Sequence, residues 1–350
     1  MTEESLLAVH IPKRDEKTGE EVRKYINSLT KPQGSLGRLE ELAVELSKMT
    51  GEVFPVISPP GVIIFAADHG ITCEGISAYP QEVTVQMVRN FLNGGAAINV
   101  FSRSIRAEMC VVDIGVASDI EHEQLKMKKV RYGTANFYNE NAMSRDEAMK
   151  ALEAGYEQAS KMISDGVKCL IPGEMGIGNT AASSAVTAAI SGISVEKLVG
   201  MGTGIEKEKI KYKQMIIKQA LEKRKPKADD PIDILSKVGG LEIAAMAGAM
   251  LASAANRTPI LIDGFIAATA ALAAKKISSN VTDYMIMGHC SVEPGHKIIM
   301  ELLEKKPLLD LQMRLGEGSG AAVAFPILQS AVLMLKEMAT FDSAQISGQE

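Results

Sequence analysis

Short apolar runs alternate with longer amphipathic segments along most of the chain. The runs lack a period-two alternation of polar and apolar residues, which predicts strands that are buried on both faces. They lie at residues 61–67, 109–114, 167–172, 259–263 and 283–288. Segments with helical spacing lie at 80–92, 144–165, 179–191, 206–223 and 240–256. This alternation favours parallel βαβ units, and therefore an α/β fold with helices on both faces of a parallel sheet.

The two ends of the chain depart from this alternation. Residues 1–60 predict a helix, a loop and a second helix, followed by a Pro-rich connection. Residues 301–350 predict helix throughout, with a Gly-rich break and no strand. We therefore expect a large α/β domain at 61–300 and a small helical domain that residues 1–60 and 301–350 build together. An αβ barrel is the less supported architecture, because it needs about eight strand–helix units.

Composition narrows the classes of protein to which the chain can belong. Of the 350 residues, 46% are hydrophobic but only 4% are aromatic, so Ala, Gly and Met must fill a closely packed core. The net charge of -5 argues against a nucleic-acid partner, because phosphate backbones require clustered Lys and Arg. Four widely spaced cysteines indicate reduced packing residues. With no signal pattern and no uninterrupted apolar stretch of membrane length, we expect a cytoplasmic protein without a membrane partner.

Two Gly-rich turns predict a site for an anion at helix N-termini. In GEMGIGNT, at 173–180, an apolar run ends, glycines free the backbone, and a helix begins near Asn179 or Thr180. Backbone amides at such a helix start bind phosphate, although the same glycines are compatible with a tight turn alone. GMGTGI, at 200–205, opens a second helix that carries Lys213. Lys213 is a candidate phosphate ligand, with a solvated surface lysine as the alternative.

A glutamate between two glycines is the candidate general base. Glu317 lies in LGEGSGAA, just before an Ala-rich helix. The glycines allow the backbone to approach a ligand closely, and partial desolvation raises the pKa of a carboxylate towards the value that a general base needs. The alternative is an exposed glutamate that stabilises the helix dipole.

A metal site is weakly indicated. Acidic residues and histidines follow several of the apolar runs, but no recognised ligand spacing is present, so we expect no metal and no cofactor. Asp68 and His69 are interpreted as residues that organise loops through hydrogen bonds. Tyr79 and Gln86 could line an apolar pocket with a polar end, or be core and helix surface.

Together, a series of motifs resembles one enzyme family. In chain order these motifs are KPQGSLGRLEELA, FAADHGI, YPQEVT, NGGAAINVFSR, VVDIGV, GEMGIGNTAASSA, GTGI, IDGFI and LGEGSGAA. They resemble the CobT family, the nicotinate-nucleotide-dimethylbenzimidazole phosphoribosyltransferases of cobalamin nucleotide-loop assembly. The resemblance extends over roughly residues 26–338, and the pair GEMGIGNT and LGEGSGAA is its most specific part.

The resemblance implies an activity and a fold. The activity is transfer of the 5-phosphoribosyl group from nicotinate mononucleotide to 5,6-dimethylbenzimidazole, giving α-ribazole 5'-phosphate and nicotinate with inversion at the anomeric carbon. The fold is a Rossmann-like domain with a small helical domain from both chain ends, in a homodimer. No metal is needed, because the leaving group is already a cationic pyridinium that becomes neutral when the glycosidic bond breaks.

The resemblance also implies roles for particular residues. Glu317 would be the general base, and Glu174 would support the base or the ribose. Ribose and phosphate would be held by Gly176, Asn179, Thr180, Gly202, Thr203, Gly204 and Lys213, with assistance from Ser291. The pocket for the base would draw on Tyr79, Gln86 and Leu315.

Two other classes of function remain open at this point. One is a metal-dependent phosphohydrolase that uses Asp68, His69 and His289. The other is a non-catalytic nucleotide-binding or regulatory protein with the same fold, because a fold and its binding glycines do not prove turnover. The presence of Glu317 argues against the second.

Overall fold

A single parallel sheet forms the centre of the protein. The computed structural model describes residues 6–202, 204 and 207–347. Within them the sheet has seven strands in the order β3-β2-β1-β4-β5-β6-β7, and every pairing is parallel. The strands are β1 (Pro60–Ala67), β2 (Glu108–Gly115), β3 (Leu125–Met127), β4 (Cys169–Met175), β5 (Ile260–Ile262), β6 (Met285–His289) and β7 (Pro307–Leu309).

Helices cover the sheet and extend beyond it at the chain ends. They are α1 (Glu16–Ser28), α2 (Arg38–Thr50), α3 (Val83–Leu92), α4 (Ala97–Ser104), α5 (Arg145–Ser164), α6 (Asn179–Ser191), α7 (Val195–Leu198), α8 (Lys207–Arg224), α9 (Pro231–Val238), α10 (Leu241–Ala255), α11 (Phe265–Ile277), α12 (Pro294–Leu302), α13 (Ser319–Glu337) and α14 (Phe341–Ala344). Short 3-10 helices lie at Gly70–Glu74 and Ser279–Tyr284. The predicted Rossmann-like α/β fold is confirmed, and β1, β2, β4, β5 and β6 are the five strands that the apolar runs predicted.

The prediction of helix throughout residues 301–350 is wrong for its first part. Strand β7 and an extended segment lie between α12 and α13. Pro307 cannot donate a backbone hydrogen bond inside a helix, but it is tolerated at the first residue of an edge strand. The amide of Cys290 donates to the carbonyl of Leu309 over 2.7 Å. This long-range pairing with β6, which local sequence does not reveal, holds the segment extended.

The order in which the chain adds strands to the sheet reverses between β1 and β4. From β1 the chain adds β2 and β3 on one side, and then returns to place β4 and the later strands on the other side. In open α/β sheets such a reversal leaves a crevice beyond the carboxyl ends of the two central strands, and ligands bind there. The motifs that follow β1 and β4 therefore lie at the same edge of the sheet.

Small residues let α10 pack closely against its neighbours. All residues of this helix from Leu241 to Ala254 are buried. A Cβ on Gly155 of α5 would overlap the carbonyl of Ala245, and one on Gly248 would overlap the carbonyl of Leu152. The two helices are in backbone contact, as a core poor in aromatic residues requires.

The two ends of the chain lie side by side. The amide of Thr30 donates to the carbonyl of Ala339 over 3.0 Å, and Leu29 forms an antiparallel bridge with Thr340. Helix α13 packs against both α2 and β6. The division into a small helical domain and a large domain, with boundaries at 60 and 300, stays a prediction.

Among the helices of the described ranges, only α13 is long enough and apolar enough to span a membrane. Of its most apolar stretch, 56% is buried inside the fold. A core helix of a globular protein has these same properties, so the apolar composition of α13 is explained by its contacts with the sheet.

Candidate active site

A cavity of about 370 Å³ opens beyond the carboxyl ends of β4, β5 and β6. One part of its wall is apolar and comes from α3 and the start of α11, and the other part is polar and comes from the Gly-rich turns. The lining residues are Tyr79, Val83, Met87, Glu174, Met175, Gly176, Ile177, Asn179, Thr180, Gly202, Asp263, Gly264, Phe265, Ile266, Ala267, His289, Ser291, Glu293, Arg314, Leu315, Gly316 and Glu317. Its size suits a small molecule that combines an aromatic ring with a sugar phosphate.

The turn after β4 brings a buried glutamate to the start of a helix. Strand β4 ends at Met175, and Gly178, with a φ of 97°, is the N-cap from which α6 begins at Asn179. The side-chain amide of Asn179 donates to Glu174. The pKa of Glu174 is raised to about 8, mainly by burial and also by the negative charges of Glu242 and Asp263, whereas hydrogen bonds from the Glu317 amide and Asn179 oppose the rise. Glu174 is therefore largely protonated at neutral pH.

Glu317 lies in a loop with an uncommon backbone. Gly316, Glu317 and Gly318 have φ values of 90°, 64° and 81°. The left-handed region is easy for glycine but costs energy for a glutamate, so the surrounding structure must hold it there. Gly173 of β4 contributes, because a Cβ at this position would lie 2.5 Å from the Glu317 carbonyl oxygen.

The Glu317 carboxylate is buried and available. Glu317 lines the cavity, the residue is 4% exposed, and Oε2 has no hydrogen-bond partner among the described residues. The pKa of Glu317 is raised to about 7, mainly by burial, with the backbone amide of Ile98 opposing the rise and the charge of Asp263 contributing to it. A carboxylate that titrates near neutral pH, has an oxygen without a hydrogen-bond partner and belongs to a residue lining a cavity is suited to accept a proton.

Lys213 reaches the start of α6 from α8. Its Nζ donates to Thr180 Oγ1 over 2.7 Å, and the residue is 2% exposed. Burial lowers the pKa of Lys213 to about 8, while the charge of Glu293 opposes the shift. Lys213 lines a small cavity next to the main one, together with Asn179 and Thr180. The interpretation of this lysine as a solvated surface charge is wrong, because the helix start of α6 covers it.

The Gly-rich turn before α8 is held by hydrogen bonds with the segments that follow β6 and β7. Glu293 Oε1 accepts a hydrogen bond from the amide of Gly202 over 2.9 Å, and Arg314 donates to the Gly202 carbonyl over 3.4 Å. A Cβ on Gly202 would lie 2.9 Å from Thr180 Oγ1, so the turn contacts the Lys213–Thr180 pair directly. The backbone of the Gly202 turn, the Lys213 side chain and the start of α6 therefore lie next to one another.

Most of the predicted site residues lie together. The cavity is lined by Glu174, Glu317, Gly176, Asn179, Thr180, Gly202, Ser291, Tyr79 and Leu315, with Lys213 next to it. Gly204 is exposed and not among the lining residues. Gln86 is also exposed, because residues Val83 and Met87 of α3 face the cavity instead. Its role in the base pocket stays a prediction, and Thr203 lies outside the described residues.

The histidine and aspartate residues of the metal hypothesis are engaged in separate hydrogen bonds. Asp68 accepts from the amide of Ala117 over 2.8 Å, and His69 Nε2 is 2.8 Å from Glu242 Oε1. Asp68 and His69 therefore organise the loops around β1, as predicted. Over the described ranges, no three His, Cys, Asp or Glu side chains cluster as metal ligands would. The phosphohydrolase hypothesis has no geometric support.

Three charged residues of the cavity, Asp263, Glu293 and Arg314, were not predicted from the sequence as site residues. Glu293 and Arg314 hold the Gly202 turn, and Asp263 is one of the acidic residues after apolar runs that the sequence suggested only as possible metal ligands. Asp263 directly follows a predicted strand, which is a signal for a site residue. Arg314 lies in a segment whose position depends on the pairing of β7, so local sequence carries no equivalent signal.

Comparisons with known proteins agree with this geometry. A family model described as a phosphoribosyltransferase matches residues 11–346. The nicotinate-nucleotide–dimethylbenzimidazole phosphoribosyltransferase of Halalkalibacterium halodurans is 51% identical over 334 residues, which cover 95% of this chain and 94% of that protein. The protein of the same name from Chloroflexus aggregans is 50% identical over 339 residues, covering 97% and 96%.

A solved structure is also similar to this chain over nearly its whole length. The crystal structure of CobT from Thermus thermophilus matches with a TM-score of 0.92 at 43% identity, and the match covers 95% of this chain and 100% of that chain. Sequence similarity over nearly the whole chain and the shared fold lead to one conclusion: the chain belongs to the nicotinate-nucleotide–dimethylbenzimidazole phosphoribosyltransferase family, and it is an enzyme that transfers a phosphoribosyl group.

Proposed function

We propose that the enzyme transfers the 5-phosphoribosyl group of nicotinate mononucleotide to 5,6-dimethylbenzimidazole. The products are α-ribazole 5'-phosphate and nicotinate, and the reaction belongs to cobalamin nucleotide-loop assembly. The observation that carries this proposal is that the buried Glu317 lines the same cavity as Thr180, to which Lys213 donates a hydrogen bond at the start of α6. The cavity and the adjoining Lys213 thus offer a proton acceptor, a phosphate site and an apolar wall.

Glu317 acts as the general base. It accepts the N–H proton of dimethylbenzimidazole while the other ring nitrogen attacks the anomeric carbon with its lone pair. This role is supported by the free Oε2 atom and by burial, which raises the pKa of Glu317 to about 7. At neutral pH a large fraction of the carboxylate is ionised, and it still binds a proton well enough to remove one from the attacking base.

The leaving group needs no acid. In nicotinate mononucleotide the pyridinium nitrogen is positively charged, so the electron pair of the breaking glycosidic bond neutralises it and nicotinate leaves. Attack from the face opposite this nitrogen converts a β-glycosidic bond into an α-glycosidic bond, which is inversion at the anomeric carbon. The enzyme then has to position two molecules in line and remove one proton.

The phosphate binds where α6 begins. Amides at the start of α6 and the Lys213 ammonium group supply hydrogen bonds and positive charge, with Thr180, Gly176 and Gly202 around them. Asn179 and protonated Glu174 contact the ribose, and Ser291 assists. The dimethylbenzimidazole ring lies against the apolar wall, which includes Tyr79 and Leu315. No cofactor takes part, and the active form is a homodimer in the cytoplasm.

The test is a reaction with the purified enzyme. Nicotinate mononucleotide and dimethylbenzimidazole are incubated with it in the presence of excess EDTA, and mass-resolved chromatography follows ribazole phosphate and nicotinate. We expect both products in equal amounts, and nuclear magnetic resonance of the anomeric proton should identify the α configuration. Release of nicotinate without ribazole phosphate, or no reaction with any benzimidazole, would contradict the proposal.

A further inference from the structure

Asp263 holds the beginning of α13, although it follows a different element. The N-cap of α13 is Gly318, which has no side chain to cap the helix. Asp263, directly after β5, supplies the missing acceptor. Its carboxylate accepts hydrogen bonds from the amides of Gly318, Gly320 and Ala321, at 3.2, 2.7 and 3.1 Å. One carboxylate therefore satisfies three amides that a helix start leaves unpaired.

The helix start fixes the backbone of the base. Glu317 directly precedes Gly318 and has a φ of 64°, a region that L-residues leave unless neighbouring contacts hold them. The carbonyl of Glu317 is close to Gly173 on one side, and the amides held by Asp263 follow on the other. Movement of these amides would carry the Glu317 side chain away from the cavity.

The charge of Asp263 also acts on the base. Asp263 is 2% exposed and lines the same cavity as Glu317, with His289 Nε2 of β6 3.2 Å from its Oδ1. The charged or polar groups that act on the Glu317 carboxylate are Asp263 and the amide of Ile98, while Glu174 contacts the Glu317 amide. A buried negative charge disfavours ionisation of a second one, so Asp263 contributes to the raised pKa of Glu317.

We propose that Asp263 is a positioning residue for this reaction. It directs Glu317 into the cavity through the start of α13, and its charge makes the Glu317 carboxylate a better proton acceptor. The inference rests on the proposed function, because it takes Glu317 as the base. It adds a residue that acts through Glu317 and that does not itself receive the proton.

The test compares Asp263→Asn with the wild-type enzyme over a range of pH. Asparagine keeps the shape and one acceptor oxygen, but it removes the charge and places an N–H group against one of the amides. We expect kcat to fall about tenfold or more, the acid-side midpoint of kcat to move down, and KM for nicotinate mononucleotide to change less than about threefold. Wild-type turnover, measured first, separates failure of the proposed function from failure of this inference.

Asp230→Asn is the matched control. Asp230 caps α9 by accepting hydrogen bonds from the amides of Ile232 and Asp233, at 3.1 and 3.0 Å, and it lines none of the cavity. Loss of a charged cap there should lower the melting temperature and leave the pH midpoint of kcat unchanged. An unchanged midpoint and unchanged kcat in Asp263→Asn would overturn the inference, and so would a large rise in KM without a fall in kcat, since that result indicates direct contact with substrate.

His289→Phe keeps the inference testable if Asp263→Asn does not fold. Phenylalanine preserves a planar ring beside Gly320 and removes the imidazole nitrogen that lies 3.2 Å from Asp263 Oδ1. The Asp263 charge then has one partner fewer, so the acid-side midpoint of kcat should move up, opposite to the change in Asp263→Asn. A midpoint that stays at its wild-type position, or moves down, would refute the charge effect.

Discussion

Gly173 of β4 lies directly against the backbone of Glu317. A Cβ built on Gly173 would be 2.5 Å from the Glu317 carbonyl oxygen and 2.6 Å from Ile64 Cδ1. The end of one central strand therefore supports the loop that carries the candidate base. This contact explains why GEMGIGNT and LGEGSGAA, far apart in the sequence, belong to one site.

Gly173→Ala should impair catalysis through this contact. The added methyl group has no room, so either the Glu317 loop or the strand must move. We expect a loss of stability of about 1 to 3 kcal/mol, typical of overpacking, and a fall in kcat of about tenfold to a hundredfold because the base is displaced. Denaturant unfolding and steady-state kinetics measure the two effects.

Gly61→Ala provides the control for that experiment. Gly61 lies near the start of β1, at the opposite end of the strands, where a Cβ would meet the Val167 side chain at 2.8 Å. This variant should lose stability to a similar degree and keep its kcat. Equal loss of kcat in the two variants would mean that general destabilisation, and not the position of Glu317, limits turnover.

Glu317→Gln should remove the proton acceptor with little change of shape. Glutamine is nearly isosteric but cannot take up the proton of the attacking base. We expect kcat to fall by roughly 10² or more, with binding of both substrates retained. Isothermal titration calorimetry and single-turnover kinetics separate binding from chemistry. Full activity in this variant would exclude Glu317 as the base.

The pH dependence of kcat/KM should have an acid limb that belongs to Glu317. Burial raises the pKa of Glu317 to about 7, so its ionised fraction, and with it the rate, should increase as the pH rises through about 7. The limb should be absent from the residual activity of Glu317→Gln. A limb that persists in this variant would instead report titration of the substrate or of another residue.

Much of this arrangement could be predicted from local sequence. The apolar runs predicted the five inner strands, because strands buried on both faces are continuously hydrophobic. The short edge strands β3 and β7 were missed, since three half-exposed residues give no periodic signal. Pairing with β6, and not any preference of its own, makes Pro307–Leu309 a strand.

In the candidate site, too, local sequence reveals some residues and tertiary packing determines the others. Glu317 and Glu174 are recognisable because they lie between or beside glycines after predicted strands or before helices. The role of Asp263 depends on hydrogen bonds to residues more than fifty positions later, and the burial of Lys213 depends on how α8 lies against α6. Such relationships are set by tertiary packing, so spacing along the chain does not encode them.

Lys213→Met should weaken binding of nicotinate mononucleotide selectively. Methionine keeps much of the buried length and removes the positive charge next to Thr180. We expect KM for nicotinate mononucleotide to rise about tenfold to a hundredfold, as loss of a charged hydrogen bond to phosphate would cause, with little change for dimethylbenzimidazole. Lys218→Met, on the same helix but exposed and near Glu196, is the control. Equal weakening of both substrates would contradict the assignment.

The alkaline limb of kcat/KM should change in the same variant. Burial lowers the pKa of Lys213 to about 8, so the free enzyme loses this charge as the pH rises through about 8. Glu174 also titrates near this pH, because burial raises its pKa to about 8. The part of the limb that disappears in Lys213→Met belongs to the lysine, and the part that remains belongs to Glu174.

Glu174 should make the folded enzyme less stable as the pH rises. Its pKa is about 8 in the fold and near 4.5 in an unfolded chain, so between these values the native state binds more protons than the unfolded state. The free energy of unfolding must then fall with increasing pH, by up to about 1.4 kcal/mol per pH unit for one proton.

Glu174→Gln resembles the protonated form and cannot ionise, so its stability should depend less on pH in this window and exceed that of the wild type at pH 8. Urea unfolding at pH 5 and pH 8 measures the difference, with the exposed Glu52→Gln as the control. Equal pH dependence in Glu174→Gln and wild type would show that Glu174 is ionised in the folded enzyme, and its proposed contact with the ribose as a protonated acid would have to be abandoned.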